Sequence, residues 1–136
     1  MNAPTPTARD VPFAHWALRI ALASTFLYHG PGKFADLGGG AERFGLPVAL
    51  YAAVALIESV APLLILAGGF VAGPWGDRLT RLGAAMLIPI MLGAIATVHW
   101  GRWNFAPSET HPMGGMEFQT ILILIMVYLV LRGRHA

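Results

Sequence analysis

The chain of 136 residues contains no cysteine and few charged residues. Without cysteine it can form no disulfide, no thiolate nucleophile and no thiolate metal site, and the redox state of its compartment cannot be inferred. Charged residues make up 12% of the chain and hydrophobic residues 56%, whereas soluble domains have about 25% charged residues. This shortage of charge predicts that lipid, rather than water, covers much of the surface.

Runs of like charge are also missing. The net charge of +2 comes from scattered arginines, whereas proteins that bind nucleic acid concentrate such residues in a patch, so nucleic acid is excluded as a partner. No cleavage site of small residues follows the first apolar run, and Arg19 interrupts that run. The sequence therefore favours a retained helix over a signal peptide.

Four apolar segments predict four membrane-spanning helices. Each has close to the roughly 20 residues that cross about 30 Å of hydrocarbon, and the interior prolines of two segments are tolerated in membrane helices. We therefore predict an all-α fold, an integral membrane four-helix bundle in a single domain at residues 12–136, after a polar, mobile N-terminus at residues 1–11. The predicted spans are Pro12–His29, Pro47–Phe70, Leu79–Trp100 and Met116–Leu131.

The distribution of lysine and arginine predicts the orientation. With four spans, both termini and the second loop lie on one side of the membrane, which then holds Arg9, Arg78, Arg81, Arg132 and Arg134. The opposite side holds only Lys33, Arg43 and Arg102. Because cytoplasmic loops are enriched in these residues, we predict cytoplasmic termini and a multi-pass protein of the inner, or cytoplasmic, cell membrane.

Charged residues inside the spans predict a site. A charge within the bilayer costs about 2.5–3.5 kcal/mol on insertion scales and usually faces a partner in the protein interior, so we expect Arg19 and Glu58 to form an ion pair. His29 and His99 end the first and third spans, and Glu117 begins the fourth, so all three lie at the non-cytoplasmic end. We predict that they line one pocket above the ion pair.

The helix boundary near this pocket is also predicted. Gly30-Pro31-Gly32 should end the first helix just after His29, because proline lacks the amide donor and clashes with the preceding turn. Lys33 would share the face of Arg19 and His29 only if the helix continued through this segment.

Structural alternatives remain for each of these residues. Arg19 and Glu58 can form an ion pair that only fixes helix packing, and His29 and His99 can form hydrogen bonds to loop carbonyls. The histidines and glutamates offer donors for a metal, but no Glu-x-x-His pattern lies on one helix, so we do not predict a metal. No role is assigned to the other three histidines, His15, His111 and His135.

The polar residues and glycines together resemble the DoxX family in their order and spacing over nearly the whole chain after residue 12. The features that carry the resemblance are Arg19, His29-Gly30-x-x-Lys33, Glu58, Gly68-Gly69, His99-Trp100 and Gly114-Gly115-x-Glu117-Phe118. The resemblance implies a small four-helix integral membrane protein. The family is named for a subunit of an archaeal terminal quinol oxidase system, and relatives are linked to thiosulfate:quinone oxidoreduction.

We predict that the pocket binds a quinone or another lipid-soluble substrate as part of a redox system. Titratable groups beside an apolar slot suit quinone reduction, which consumes protons, so His29, His99 and Glu117 are the candidate catalytic residues. The candidate substrate-binding residues are Arg19, Phe26, Lys33, Tyr51, Glu58 and Trp100.

Other functions stay open. The chain can be a quinone-linked oxidoreductase subunit with a redox partner protein, or a non-catalytic membrane scaffold for soluble proteins. A carrier of protons or small solutes is a third alternative, which would require a homo-oligomer or large movements because four short helices enclose little space.

Overall fold

The computed structural model of the chain describes residues 13–135, so the polar N-terminus predicted at residues 1–11 lies outside the described range. All regular elements of the described residues are helices, which confirms the all-α prediction. The α-helices are α1 (Ala14–Lys33), α2 (Leu37–Arg43), α3 (Val48–Phe70), α4 (Gly73–Ala94) and α5 (Glu117–Arg132). Short 3₁₀ turns cover Phe34–Asp36 and Gly133–His135, and a π-helical turn covers Ile95–His99.

The four long helices share one apolar core. Helix α3 packs between α1 and α4, and α5 packs against α4. Consecutive long helices run in opposite directions, as the contacts of Gly30 with Glu58 and of Gly68 with Thr80 require. The core residues come from all four helices: Leu22, Phe26, Ala61, Ile65, Ala84, Leu87, Met91, Leu122, Met126 and Leu129.

The antiparallel arrangement gathers the helix termini at two ends of the molecule. We call one the loop end, where Lys33, Val48, His99 and Glu117 lie, and the other the terminal end, where Ala14, Phe70, Gly73 and Arg132 lie.

The predicted end of the first helix is wrong. Helix α1 continues through Gly30-Pro31-Gly32 and ends at Lys33. Pro31 lies in the last turn, where its missing amide removes a single helical hydrogen bond, and Gly30 packs directly against the backbone of α3. The following segment, predicted as a loop, is partly helical because the 3₁₀ turn and α2 occupy it.

The third helix also begins earlier than predicted. Helix α4 starts at Gly73 rather than near Leu79, and Pro74 lies in its first turn. Proline suits this position because the first amides of a helix have no intrahelical partner. The connection between α3 and α4 is therefore only Val71 and Ala72. The predicted bounds of the second and fourth helices agree with α3 and α5 to within one residue.

Two helices are long and apolar enough to cross a membrane, Val48–Phe70 and Gly73–His99. Only 33% of the most apolar window of each is buried, so these helices are not enclosed like the core helix of a soluble protein. Their outward faces carry large apolar side chains, including Leu56, Leu63 and Leu82, each more than half exposed. Because α5 has only 16 residues, four complete spans remain a prediction.

Candidate functional site

An ion pair joins α1 and α3 at the loop end. Lys33 Nζ donates a hydrogen bond to Glu58 Oε2, and Glu58 is only 4% exposed. The helices approach closely here because position 30 has no side chain: a Cβ on Gly30 would lie 2.7 Å from the carbonyl carbon of Glu58. The continuation of α1 through Pro31 thus places a cation beside the intramembrane glutamate.

The predicted ion pair between Arg19 and Glu58 is wrong. Arg19 is completely buried, and its Nη1 donates to the Ile65 carbonyl (2.5 Å) and to Thr80 Oγ1 (2.8 Å). The antiparallel register explains the difference. Gly30 faces Glu58, so Arg19, eleven residues earlier, faces Gly69, eleven residues later. Seven residues of helix, about 10 Å, separate Glu58 from Ile65.

His99 is buried between the π-helical turn and the loop that precedes α5. The Gly114 carbonyl can only accept, so His99 Nδ1–H donates to it (2.9 Å) and His99 Nε2 accepts from Gln119 Nε2 (2.9 Å). The alternative prediction for His99, a hydrogen bond to a loop carbonyl, is confirmed.

The other two predicted catalytic residues, Glu117 and His29, form interactions of their own. Glu117 Oε2 accepts from the Phe105 amide (3.2 Å), which ties the long loop to the start of α5. His29 is exposed, and its ring makes an edge-to-face contact with Tyr28 at 5.2 Å between centroids. In the described part of the chain, no hydrogen bond joins His29, Glu58, His99 and Glu117 to one another, so their joint role stays a prediction.

The predicted aromatic binding residues occupy three different environments. Phe26 is 1% exposed and belongs to the apolar core. Tyr51 is buried and stacks on Phe44, with 6.0 Å between ring centroids. Trp100 is 70% exposed at the end of the π-helical turn.

A pocket of about 440 Å³ opens at the loop end between α2, the π-helical turn and the long loop. Its walls are mostly apolar, with one guanidinium and one hydroxyl group. The lining residues are Arg43, Phe44, Thr97, Val98, Pro112 and Met113. None of the predicted site residues lines this pocket, although His99 directly follows Val98 and Tyr51 stacks on Phe44.

A second, shallower groove of about 370 Å³ runs between α1 and α5. It is almost entirely apolar and is lined by Leu18, Ile121, Leu124, Ile125 and Tyr128. No three His, Asp or Glu side chains among the described residues come together as a metal site would require.

Sequence reasoning missed three groups of polar residues. Thr80 bonds Arg19, and its position four residues after Gly76 and three before Gly83 marks a face of small residues on α4. Gln119 bonds His99, and its place two residues after Glu117 at the start of an apolar helix was an available signal. Arg43 and Thr97 had no signal, because only folding brings the first connection beside the end of the third predicted span.

The comparison with protein families agrees with the pattern of polar residues and glycines. The DoxX family model matches residues 14–100, which include α1 to α4 and the π-helical turn. No curated protein and no solved structure matches the chain. The family match covers well over half of the chain and includes both of the helices that are long and apolar enough to cross a bilayer. The chain is therefore a membrane protein that belongs to the DoxX family.

Proposed function

We propose that this DoxX protein binds a quinone headgroup, or another lipid-soluble ring with carbonyl oxygens, in the pocket at the loop end. The observation that carries the proposal is the lining of that pocket. Its volume of about 440 Å³ lies within the range of about 300–1,000 Å³ typical of small-molecule sites. Apolar walls with one or two polar groups suit a ring that partitions into lipid but needs its oxygens fixed.

The two polar residues can orient such a ring. The Arg43 guanidinium can donate hydrogen bonds to a carbonyl oxygen, and its charge favours the negative charge that develops there on reduction. Thr97 donates its own hydroxyl proton to the Gly93 carbonyl (2.8 Å), so its oxygen remains free to accept. Phe44 and Met113 supply apolar contact area on either side.

The proposed role is that of a membrane subunit in a redox system. The chain has no cysteine, so we expect a partner protein to supply the electrons. Reduction of a quinone also consumes protons, and His99, the residue after Val98 in the pocket wall, is the nearest candidate to carry them. His29 and Glu117 are further candidates at the same end of the molecule.

The proposed membrane arrangement follows the predicted topology. All four long helices span the inner membrane, both termini are cytoplasmic, and the pocket opens near the outer face. The outward apolar side chains of α3 and α4 support contact with lipid along most of their length.

Binding of decylubiquinone to the purified protein tests the proposal. We expect saturable binding to the unaltered protein. The dissociation constant should rise at least about tenfold in Arg43→Ala, because loss of a charged hydrogen bond removes about 1.5–3 kcal/mol. Arg78→Ala is the matched control, since Arg78 is an exposed arginine at the terminal end that stacks on Trp75. Absence of saturable binding, or equal affinity in Arg43→Ala and Arg78→Ala, would contradict a quinone site in this pocket.

One observation favours the scaffold alternative. Three polar residues of the helices, Glu58, His99 and Glu117, already have hydrogen-bond partners within the protein, so they can serve helix packing alone. If this alternative is correct, the delipidated protein should bind no quinone, and extraction followed by mass spectrometry should find none. A soluble protein should instead co-purify after chemical cross-linking in cells.

A further inference from the structure

The guanidinium of Arg19 is buried but uses only one of its edges. It is 0% exposed, and Nη1 makes both of its hydrogen bonds, to the Ile65 carbonyl and Thr80 Oγ1. Nε and Nη2 have no hydrogen-bond partner among the residues that the structure describes. Buried polar groups are nearly always paired, so these two donors call for an explanation.

The free edge has the geometry that recognises oxyanions. Nε–H and Nη2–H point in the same direction from the planar guanidinium and form two parallel donors. Arginine uses such a pair to bind two oxygens of one carboxylate or phosphate. Arg19 takes part in neither of the two ion pairs found within residues 13–135, which are Lys33–Glu58 and Arg81–Asp77.

Neighbouring groups add positive charge and another buried nitrogen. His15 lies one turn before Arg19 on α1, and its Nε2 is also buried without a partner in the described part of the chain. Arg134, from the 3₁₀ turn after α5, lies close enough to interact electrostatically with both side chains. The Trp16 ring and the stem of Arg19 both pack on Gly69, where a Cβ would lie 2.9 Å from the ring and 3.2 Å from Arg19 Cδ.

We propose that Arg19 and His15 form a binding site for a phosphate group at the terminal end. The paired Nε–H and Nη2–H donors of Arg19 suit two oxygens of one phosphate, and a third oxygen of the phosphate or of its ester can accept from His15 when Nε2 carries the proton. The phosphate comes either from a lipid headgroup or from a free phosphate ion. His15 and Trp16 are both half-buried at the start of α1, so their rotation would open the way to the guanidinium.

Free phosphate is tested on the delipidated, full-length protein in a neutral detergent. Arginine labelled with ¹⁵N gives a separate Nε–H signal for Arg19, identified by its loss in Arg19→Lys. We expect this signal to shift saturably with sodium phosphate but not with sodium chloride at equal ionic strength. Phosphate should also raise the melting temperature. The same rise should need a phosphate concentration at least about tenfold higher in Arg19→Lys than in the unaltered protein, because lysine keeps the charge but loses the paired donors. Arg78→Lys, at the same end, should respond like the unaltered protein.

Lipid phosphate is tested with phosphatidylglycerol. If the headgroup is the source, the delipidated protein should bind one phosphatidylglycerol by native mass spectrometry, and Arg19→Lys and His15→Leu should both lose it. If Arg19→Lys does not fold, the His15→Leu variant and the titration of the unaltered protein still decide the question.

Three results would overturn the proposal. The first is that neither phosphate nor phosphatidylglycerol shifts the Arg19 signal saturably. The second is that both bind Arg19→Lys as tightly as they bind the unaltered protein. The third result would be phosphate binding that appears only in Asp10→Asn, which removes the one carboxylate side chain of residues 1–12. A carboxylate of the chain itself would then hold the free edge.

Discussion

At the residue scale, the arginine and the lysine of α1 have different partners. Lys33 binds the carboxylate of Glu58, whereas Arg19 binds a carbonyl and a hydroxyl oxygen and, within residues 13–135, no carboxylate. The neutral partners satisfy hydrogen bonds but do not balance charge. The lysine pair is therefore a self-contained structural unit, and Arg19 is the residue from which a bound anion would gain most.

The Lys33–Glu58 pair should show strong energetic coupling. Glu58→Leu leaves a partly buried ammonium group without a partner and should lower the free energy of unfolding by about 3–5 kcal/mol. Lys33→Leu should have a similar effect, and the double variant should lose less than the sum by about 0.5–3 kcal/mol. Unfolding of the four proteins in detergent measures the coupling.

Glu109→Leu is the control for loss of a glutamate, since Glu109 is exposed in the long loop. It should change the free energy of unfolding by less than about 0.5 kcal/mol. If the losses from Lys33→Leu and Glu58→Leu simply added, the ion pair would contribute nothing to stability.

At the element scale, glycine positions set how closely the helices pack. Gly30 brings α1 against the backbone of α3, and Gly68 and Gly83 bring α3 and α4 together. Small residues at helix contacts are a common means of association in membranes, because no difference in hydrophobicity separates lipid from side chains. The glycine pair noted in the sequence at Gly68-Gly69 thus has a packing role.

Two glycines in the last turns of α1 should respond oppositely to alanine. A Cβ at Gly30 would lie 2.7 Å from the Glu58 backbone, so Gly30→Ala should lower stability by about 1–3 kcal/mol through overpacking. Gly32 has no atom within 4 Å of its would-be Cβ, so Gly32→Ala should raise stability by up to about 1 kcal/mol. Melting temperatures in detergent measure both changes. Changes of the same sign in both variants would argue against this helix contact.

The elements differ in how well sequence predicts them. Long apolar runs predicted α3 and α5 to within one residue, because hydrophobic length alone determines them. The boundaries near the two Gly-Pro pairs were wrong, since Gly73-Pro74 begins α4 and Gly30-Pro31 lies inside α1. Local rules cannot separate these cases, because the outcome depends on the packing of Gly30 against another helix.

At the scale of the whole molecule, the cysteine-free chain allows the topology to be tested directly. With four spans, single cysteines at Thr7 and Ala136 should react with a membrane-impermeant maleimide only after the cells are opened. A cysteine at Glu109, in the loop before α5, should react in intact cells. Labelling of Thr7→Cys and Ala136→Cys from opposite sides would require an odd number of spans and contradict the predicted arrangement.

The site could be predicted only in part. The order and spacing of the polar residues and glycines together were enough to indicate the family, which the family match confirms. Which of them touch depends on the register between antiparallel helices, and a shift of two turns separates Arg19 from Glu58. The pocket lining was beyond sequence reasoning, because Arg43 in α2 and Thr97 in the π-helical turn meet only in the folded protein.

The two-residue connection between α3 and α4 also bears on how the protein is made. These two helices are the ones long and apolar enough to enter a bilayer, and they are adjacent in the chain. Gly68 of α3 and Gly83 of α4 let their backbones pack closely. A ribosome produces residues 48–99 in about 3–10 s, after which the two helices can insert together as a hairpin with no other part of the chain in place. Helices α1 and α5, which are less apolar or shorter, can then join a surface that is already in the membrane.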